Sequence, residues 1–391
     1  MRGMKTEMKR QLTWGSGAFG VVFFVAALIW GPWIFEGDHV RDSGLAPSAG
    51  IIITGFRTML VATAAGGIAG LGLYYTHRNH RHAEKLYEHS QEQFAHLREK
   101  DREQAELARE GQVTERYVEA IKLLGSEDMT ERLGGIYSLE RIMRDSEKDH
   151  DAVVKVLAAF VRRRAPLPSD EDAEEAGAAS CPADDVQAVI TVLGNRPVRS
   201  EEFRINLAST DLRGANLDGC HFKRAIFNGS RLDGIHAIRV DLENVWIQGA
   251  SLCDAYLLEG NLDDASGYHT LFAGANLLQS TLRGATLLHS QFTDAGLTWA
   301  NMDGANFSYS EMWRVNLYRS TSSAADFMGV DLWEADLNEA DLRGSQLWFA
   351  RNLTSGQLEH ALIDDSTQLP EGLNEAAWVQ EMLYVQGSPE R

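Results

Sequence analysis

Residues 330–344 read VDLWE-ADLNE-ADLRG, three consecutive units of five residues with a leucine at the centre of each. The same spacing runs from Leu207 to Leu347, and 26 of its 29 centres are Leu, Phe, Ile or Met. A period of five fits neither the repeat of a helix, about 3.6 residues, nor the two-residue repeat of a strand. Such a short repeat predicts a solenoid, in which each unit buries its apolar face by stacking on the next.

The other positions of each unit are also patterned. The residue two before the centre is usually small, Asn or Asp often stands directly before it, and Gly often follows two after it. The centres include Leu207, Leu212, Leu217, Phe222, Phe227, Leu277, Leu332, Leu337, Leu342 and Leu347. The triplets Ala215-Asn216-Leu217 and Ala335-Asp336-Leu337 resemble the signature A-(D/N)-L-x-x of the pentapeptide-repeat family. The resemblance implies a right-handed quadrilateral β-helix with four units in each coil.

The amino-acid pattern agrees with that mainly β solenoid. The centre and the small residue two before it point inward, because four large side chains converging on a narrow axis would otherwise overpack. Roughly seven coils, spaced by about 4.8 Å, give a rod about 35 Å long. Ala237, Gly267 and Ser322 occupy centres where a large side chain is expected. We therefore predict local bulges or thin packing at these three positions.

The N-terminal part of the chain predicts a membrane anchor of two helices. The 25 residues between Arg10 and Glu36 carry no charge, and a second apolar stretch runs from about Ile51 to Tyr75. Both stretches are long enough to span about 30 Å of hydrocarbon. The first is too long for a cleaved signal peptide, and no small-x-small cleavage site follows it. The predicted membrane-interface residues are Trp14, Trp30, Trp33 and Arg57, the last with its side chain directed outward from the second span.

The charges that flank these stretches predict their orientation. Basic residues precede the first span and follow the second, whereas the loop between them is acidic apart from Arg41. By the positive-inside rule, both termini and the β-helix lie in the cytoplasm. The sequence thus indicates a bacterial-type, multi-pass protein of the plasma membrane.

Between and beyond these parts the pattern is helical. Residues 132–142 resemble the helical module that often precedes the repeats in membrane-anchored members of the family. We expect Thr130 to cap a helix of this module, a helix at 185–193 to cover the first coil, and Thr354 with Gln357 to form a capping box. That box would begin a helix over 357–363, and a last helix at 375–385 would lie back on the rod. The predicted organisation is a two-helix transmembrane anchor over 1–76, a solvated juxtamembrane helix with a weak coiled-coil stripe over 77–112, a helical module over 113–164, an acidic linker and cap helix over 165–196, the β-helix over 197–353 and C-terminal capping helices over 354–391.

The sequence offers no set of residues for catalysis. It contains no Ser/His/Asp set, metal quartet or phosphate loop, and a filled rod leaves no enzyme-like cleft. The Gly15–Gly20 motif fits G-x-G-x-x-G but opens a transmembrane stretch, so it does not indicate nucleotide binding. His82, His89 and His96 lie two helical turns apart, which is typical of a polar helix face rather than a metal site. We therefore predict no enzyme, no cofactor and no small-molecule substrate, and interpret Cys220 as a core residue.

One binding hypothesis is DNA mimicry, as in the pentapeptide-repeat proteins that protect DNA gyrase from quinolones. It requires a continuous line of carboxylates along one face. Stepping by twenty residues along the faces gives no such line, and residues 197–353 carry 20 acidic and 12 basic side chains. The net charge of -19 also argues against binding nucleic acid through its phosphates. DNA mimicry remains the alternative interpretation.

The favoured hypothesis is a scaffold or adaptor that binds a protein. Stepping by twenty residues brings outward apolar side chains of successive coils together, and such patches mark interfaces. The candidate partner-binding residues are Tyr268, Leu288, Tyr309, Trp313, Met328, Trp333, Trp348 and Phe349. The sequence does not identify the occupant, which is an unknown protein partner, a second copy forming a homodimer, or the chain's own C-terminal helix.

Overall fold

A computed structural model of the chain describes residues 19–34, 47–168 and 181–373. It divides into two compact units, Met1–Leu107 and Ala108–Arg391. The division falls inside a long helix, so the boundaries predicted above from composition stay predictions.

The first unit contains apolar helices. Helix α1 covers Phe19–Ile34, and α2 covers Pro47–Leu124, starting at a proline whose fixed φ suits the first helical turn. One helix among the described residues is long and apolar enough to cross a membrane, the part of α2 that begins at Ile53, and α1 is a shorter apolar helix. The start of the predicted first span, including Trp14, lies outside the described residues.

A helical module opens the second unit. It consists of α3 (Met129–Asp145), α4 (Glu147–Arg164) and α5 (Asp184–Gly194). The predicted cap at Thr130 is wrong, because Asp128 caps α3 and accepts hydrogen bonds from the backbone N–H groups of Thr130 and Glu131. Those bonds stabilise the charged carboxylate and lower the pKa of Asp128.

A buried ion pair joins the three helices of the module. Arg132 of α3 donates to Asp185 of α5 at 2.7 Å, and both side chains are buried. Arg164, at the end of α4, approaches the same carboxylate at 3.3 Å. Arg164 belongs to the run of three arginines that ends α4, and this run therefore includes a structural ion-pair partner.

The β-helix follows, with a register of twenty residues. Parallel bridges join residues one coil apart, from Asn206 and Ile226 to Asp326 and Gln346, so each coil contains four units of five. Strands β1 (Ser266–Tyr268) and β2 (Thr286–Leu288) are the longest pairing among the described residues, and the other sides of the coil pair through single residues. Each of these sides is too short for a longer strand, because a turn follows every bridge.

Every corner of the β-helix uses the left-handed backbone conformation. The residue two after the centre has a φ of +52° to +70° in all 29 units. Glycine adopts this conformation without steric cost. The corner geometry thus explains why glycine recurs at that place in the unit.

The core is a stack of the repeat centres. All ten centres named above are buried, and phenylalanines of successive coils stack, as in the pair Phe272 and Phe292 at 4.8 Å between ring centroids. The predicted bulges at the three irregular centres are wrong, since the backbone ladder continues through them. Thin packing is also wrong at Gly267, where a Cβ would lie 2.4 Å from Thr270 Oγ1. Ser322 is fully buried, and the buried hydroxyls of its neighbours Ser320 and Thr321 have no hydrogen-bond partner within the described part of the chain.

Both ends of the β-helix are covered by other segments. At the first coil, His221 N–H donates to Gly194 O, the last residue of α5, at 2.8 Å. At the far end the predicted capping box of Thr354 and Gln357 is confirmed, but it begins a single turn, α6 (Ser355–Leu358), instead of a helix to 363. The chain then returns to the ladder, where Gln346 pairs with Gln368. The predicted helix at 375–385 lies outside the described residues.

Candidate protein-docking surface

Outward side chains of one face form a mainly apolar column, interrupted at Ser308. On the face that starts at Leu207, the residue after the centre is Tyr268, Leu288, Ser308, Met328 and Trp348 in successive coils. Tyr268 and Trp348 are about half exposed, and Leu288 and Met328 are partly buried. The column spans four coil steps, about 19 Å at about 4.8 Å per step.

A second column of rings follows at the neighbouring corner. It contains His269, His289, Tyr309 and Phe349, each at the left-handed position of its unit. The His289 and Tyr309 rings stack at 5.2 Å with an angle of 13° between their planes. His269 lies 5.5 Å from His289, and Tyr268 contacts both histidines edge-on at 4.1 and 5.2 Å. We call the two columns together the aromatic corner: Tyr268, His269, Leu288, His289, Tyr309, Met328, Trp348 and Phe349.

Glycine at the next coil shapes this surface. The Tyr309 ring lies over Gly329, where an added Cβ would come within 2.8 Å of the ring. The Tyr309 hydroxyl also approaches Met328 Sδ at 4.0 Å. The missing side chain at Gly329 therefore leaves room for Tyr309 to lie along the rod.

Buried hydroxyls hold the backbone beneath the aromatic corner. Thr270 and Ser290 each follow a corner histidine, and Ser310 follows Tyr309. The Thr270 N–H donates to Ser290 Oγ at 3.2 Å, and the Ser290 N–H donates to Ser310 Oγ at 3.0 Å. The Ser310 hydroxyl in turn donates to Leu287 O at 2.9 Å. This ladder was not predicted, although serine and threonine recur twenty residues apart at the small inward position.

The two predicted tryptophans form a separate group. Trp313 and Trp333 lie on the next face, 6.4 Å apart and edge to face. The guanidinium of Arg314 lies 5.6 Å from the Trp333 ring and pairs with Asp294 at 2.5 Å. Within the described residues, the ring contacts of this pair do not extend to the aromatic corner. The eight predicted partner-binding residues thus fall into a group of six on the aromatic corner and this pair.

Other exposed rings lie elsewhere on the rod. Trp299 occupies the diagonally opposite corner, where Arg319 lies 4.9 Å from its ring, and Tyr256 stacks on His236 at 5.0 Å. Both aromatic side chains are about half exposed. The twenty-residue stepping that revealed the aromatic corner would also have found them.

Acidic side chains of the rod are extensively paired with bases. Lys223 meets Glu243 at 2.7 Å, and Arg319 meets Glu339 at 2.5 Å, one coil apart in each case. Arg319 lowers the pKa of Glu339 by a direct hydrogen bond. Similar pairs one coil apart join Arg283 with Asp263 and Arg351 with Asp331, and Arg343 pairs with Asp341 within its own unit. Pairing across coils leaves alternating charge where a mimic of DNA would need unbroken negative charge.

Three of the four predicted interface residues of the anchor, Trp30, Trp33 and Arg57, lie in α1 and α2. Arg57 Nε donates to the carbonyl oxygen of Leu28 at 3.3 Å, which joins the two helices. Trp30 and Trp33 are exposed near the end of α1. Large apolar side chains are exposed along both helices, for example Phe23, Ile34 and Ile68.

Within residues 19–34, 47–168 and 181–373, no group of three or more His, Cys, Asp or Glu could hold a metal ion. Cys220 is buried under Gly194, and burial raises the pKa of its thiol to about 11. A thiol with that pKa is protonated near neutral pH and is a poor nucleophile. Its packing agrees with the predicted role as a core residue.

A family model described as Pentapeptide repeats matches eight copies, within residues 204–236, 270–308 and 323–361. The β-helix is therefore built of pentapeptide repeats, and the resemblance of its triplets is confirmed for this region. A search of curated proteins found no match.

Several solved structures are similar to the chain. HetL, a pentapeptide repeat protein involved in heterocyst differentiation regulation in the cyanobacterium Nostoc, is 23% identical over 42% of this chain and 80% of its own, with a TM-score of 0.18. A pentapeptide repeat protein of the Arabidopsis thaliana thylakoid lumen is 20% identical over 37% of this chain and 90% of its own, with a TM-score of 0.22. A trypsin-treated form of QnrB1, a plasmid-mediated fluoroquinolone resistance protein, is 12% identical over 44% of this chain and 95% of its own, with a TM-score of 0.25.

Proposed function

We propose that this protein is a membrane-anchored cytoplasmic scaffold that binds a protein partner through the aromatic corner of its β-helix. The observation that carries the proposal is the aromatic corner itself, six of whose eight side chains were singled out by the twenty-residue stepping. Tyrosine and tryptophan are enriched at the energetic centres of protein interfaces. Two adjoining columns that combine these rings with Leu288 and Met328 have the composition of such a surface.

Rigidity favours this role. The His289 and Tyr309 rings already stack on each other, and buried hydroxyls hold the backbone beneath them. A partner that docks here has little side-chain motion left to arrest, so less free energy of association is spent on ordering. The same rigidity favours recognition of shape over induced change in the rod.

The membrane anchor is supported by the exposed apolar surface of α1 and α2. Side chains such as Phe23, Ile34 and Ile68 are at least two-thirds exposed, which is unfavourable in water and favourable in lipid. The basic residues on both outer flanks favour a cytoplasmic β-helix under the positive-inside rule.

Charge pairing makes the gyrase-directed alternative less favourable. A DNA mimic presents uncompensated carboxylates, whereas carboxylates such as Glu243 and Glu339 here hold a base from a neighbouring coil. A supercoiling assay with the purified protein separates the two functions, since potent inhibition of gyrase would favour mimicry over scaffolding.

Proximity labelling in the native cell tests the proposal. A Tyr309→Ser, Trp348→Ser, Phe349→Ser variant is expected to lose specific labelled neighbours of the wild-type protein. It should still be recovered in the membrane fraction of the cell. A Tyr256→Ser, Trp299→Ser variant is the matched control, because it removes equally exposed rings away from the aromatic corner. Identical neighbours in all three proteins would refute the proposal.

Two further outcomes identify the occupant. If the Tyr309→Ser, Trp348→Ser, Phe349→Ser variant loses the labelling seen between differently tagged wild-type copies, the partner is a second copy of the chain. A variant that ends at residue 373 tests whether the C-terminal segment covers the aromatic corner. If it does, the truncated protein should label more neighbouring proteins than wild type.

A further inference from the structure

Helix α2 passes without interruption from an apolar to a charged sequence. Residues 58–75 carry no charge, and the stretch ends at Tyr74 and Tyr75, which are exposed and contact each other at 5.8 Å. Tyrosines favour the boundary between hydrocarbon and water. The residues that follow therefore enter the headgroup region of the membrane if the helix crosses it.

Three cations directly follow this boundary on one side of α2. Arg78, Arg81 and Lys85 are spaced by three and four residues, and His82 lies between them. At about 100° per residue these positions fall within an arc of about 100°. We call Arg78, Arg81 and Lys85 the juxtamembrane cations.

The juxtamembrane cations lack acidic partners. No ion pair to any of them occurs within the described residues, whereas arginines of the β-helix such as Arg283 and Arg314 each hold a carboxylate at 2.5 Å. The first acids that follow Arg78 on α2 are Glu84, which lies 3.9 Å from His80, and Glu88. Three unpaired charges on one helix face are therefore available to an anion outside the protein.

The position of these charges along α2 fits a lipid headgroup. At about 1.5 Å per residue, Arg78 lies about 5 Å and Lys85 about 15 Å beyond Tyr75. A headgroup layer of about 5–7 Å and a Debye length of about 8 Å cover that interval. Farther on, residues 86–112 contain seven acidic and four basic side chains, so the positive face ends where the membrane surface does.

We infer that Arg78, Arg81 and Lys85 bind the phosphates of anionic lipids, of the phosphatidylglycerol class, in the leaflet where α2 leaves the membrane. The inference rests on the proposed membrane anchor and adds a lipid preference to it. Three separate cations suit several exchanging lipids better than a single tightly held one, because each phosphate meets its own guanidinium or ammonium group.

Spin-labelled lipids test the preference on the full chain reconstituted in vesicles. The association of spin-labelled phosphatidylglycerol with the protein is compared with that of phosphatidylcholine, which has no net charge. One cation near an anionic surface contributes about fivefold in association, so the wild-type ratio is expected to be about five. An Arg78→Gln, Arg81→Gln, Lys85→Gln variant is expected to give a ratio near one.

The matched control removes the same charge from the acidic part of the helix. An Arg98→Gln, Lys100→Gln, Arg102→Gln variant is expected to keep the wild-type ratio, because these residues lie beyond the headgroup layer. A wild-type ratio of one, or equal ratios in the two variants, would overturn the inference.

Resistance to alkaline extraction, measured on the same vesicles, separates failure of the inference from failure of the anchor. A protein that alkali removes is not membrane-spanning, and both proposals then fail. A protein that resists extraction but shows no lipid preference contradicts the lipid-binding inference alone.

Discussion

Gly267→Ala is expected to destabilise the β-helix, although it places an apolar group at a repeat centre that lacks one. The new Cβ would lie 2.4 Å from Thr270 Oγ1 and 2.8 Å from Leu287 Cδ2. Leu287 has other rotamers, but the buried Thr270 hydroxyl donates to Ile247 O at 2.9 Å, and moving it breaks that bond. Overpacking costs about 1–3 kcal/mol and the lost hydrogen bond about 1 kcal/mol. At about 2–4 °C per kcal/mol, the Tm falls by roughly 5–15 °C.

Thermal unfolding of the full chain in detergent, followed by circular dichroism, measures this change. Gly296→Ala is the matched control, because no atom lies within 4 Å of its Cβ position and its φ is not positive. It is expected to raise the Tm slightly, by restricting the unfolded chain, which is worth about 0.4–1 kcal/mol. A Gly267→Ala protein as stable as Gly296→Ala would refute the explanation that neighbouring coils fill the space.

Three other predictions follow from corner geometry, buried charge and pH. Ala324→Gly is expected to raise the Tm by roughly 1–3 °C, because Ala324 has a φ of 56° and alanine in that conformation costs about 1–2 kcal/mol. The greater freedom of glycine in the unfolded chain offsets part of that gain. A lower Tm would contradict the prediction. Asp185→Ala should destabilise the helical module by about 3–5 kcal/mol in urea unfolding, because it leaves Arg132 buried without its partner. Asp294→Ala, at a solvent-exposed pair, should leave the unfolding midpoint close to that of wild type. Burial raises the pKa of Glu201, but hydrogen bonds from Arg196 and His150 together outweigh it and hold that pKa below its ordinary value. The stability from the ionised Glu201 is therefore present above the unfolded pKa, about 4.3, and is lost as the pH falls through the lower folded pKa. Between pH 5 and pH 3, a Glu201→Gln variant should lose less free energy of unfolding, measured with urea, than wild type. Equal losses in the two proteins would exclude this role.

The course of the β-helix could be predicted from the sequence because the same positions of every five-residue unit are buried. A centre such as Leu277 is apolar wherever it faces the axis, so the register of five appears directly in the residues. The twenty-residue register in turn predicts that Tyr268, Leu288 and Trp348 lie in one column.

What the sequence did not reveal depends on residues that are distant along the chain. The space at Gly267 is filled by Ile247 and Leu287, one coil away on either side, and no local pattern reports that. The choice of Asp128 over Thr130 as the cap depends on where α3 begins, and both residues are good caps in isolation.

Tyr309 and Phe349 occupy the position where glycine recurs and were predicted as partner-binding residues, with His289 beside them at the same position. His269, one coil earlier at that position, was missed. Once its left-handed conformation is known, a side chain there must project from a corner, where rings of successive coils can meet.

Site-specific photocrosslinking in the native cell tests the central claim most directly. A photoreactive phenylalanine analogue at position 309 reports on the aromatic corner, and the same residue at position 299 reports on the opposite one. A crosslinked partner is expected from position 309 and not from position 299. The same products from both positions, or none from position 309, would contradict the assignment of the aromatic corner as a docking surface.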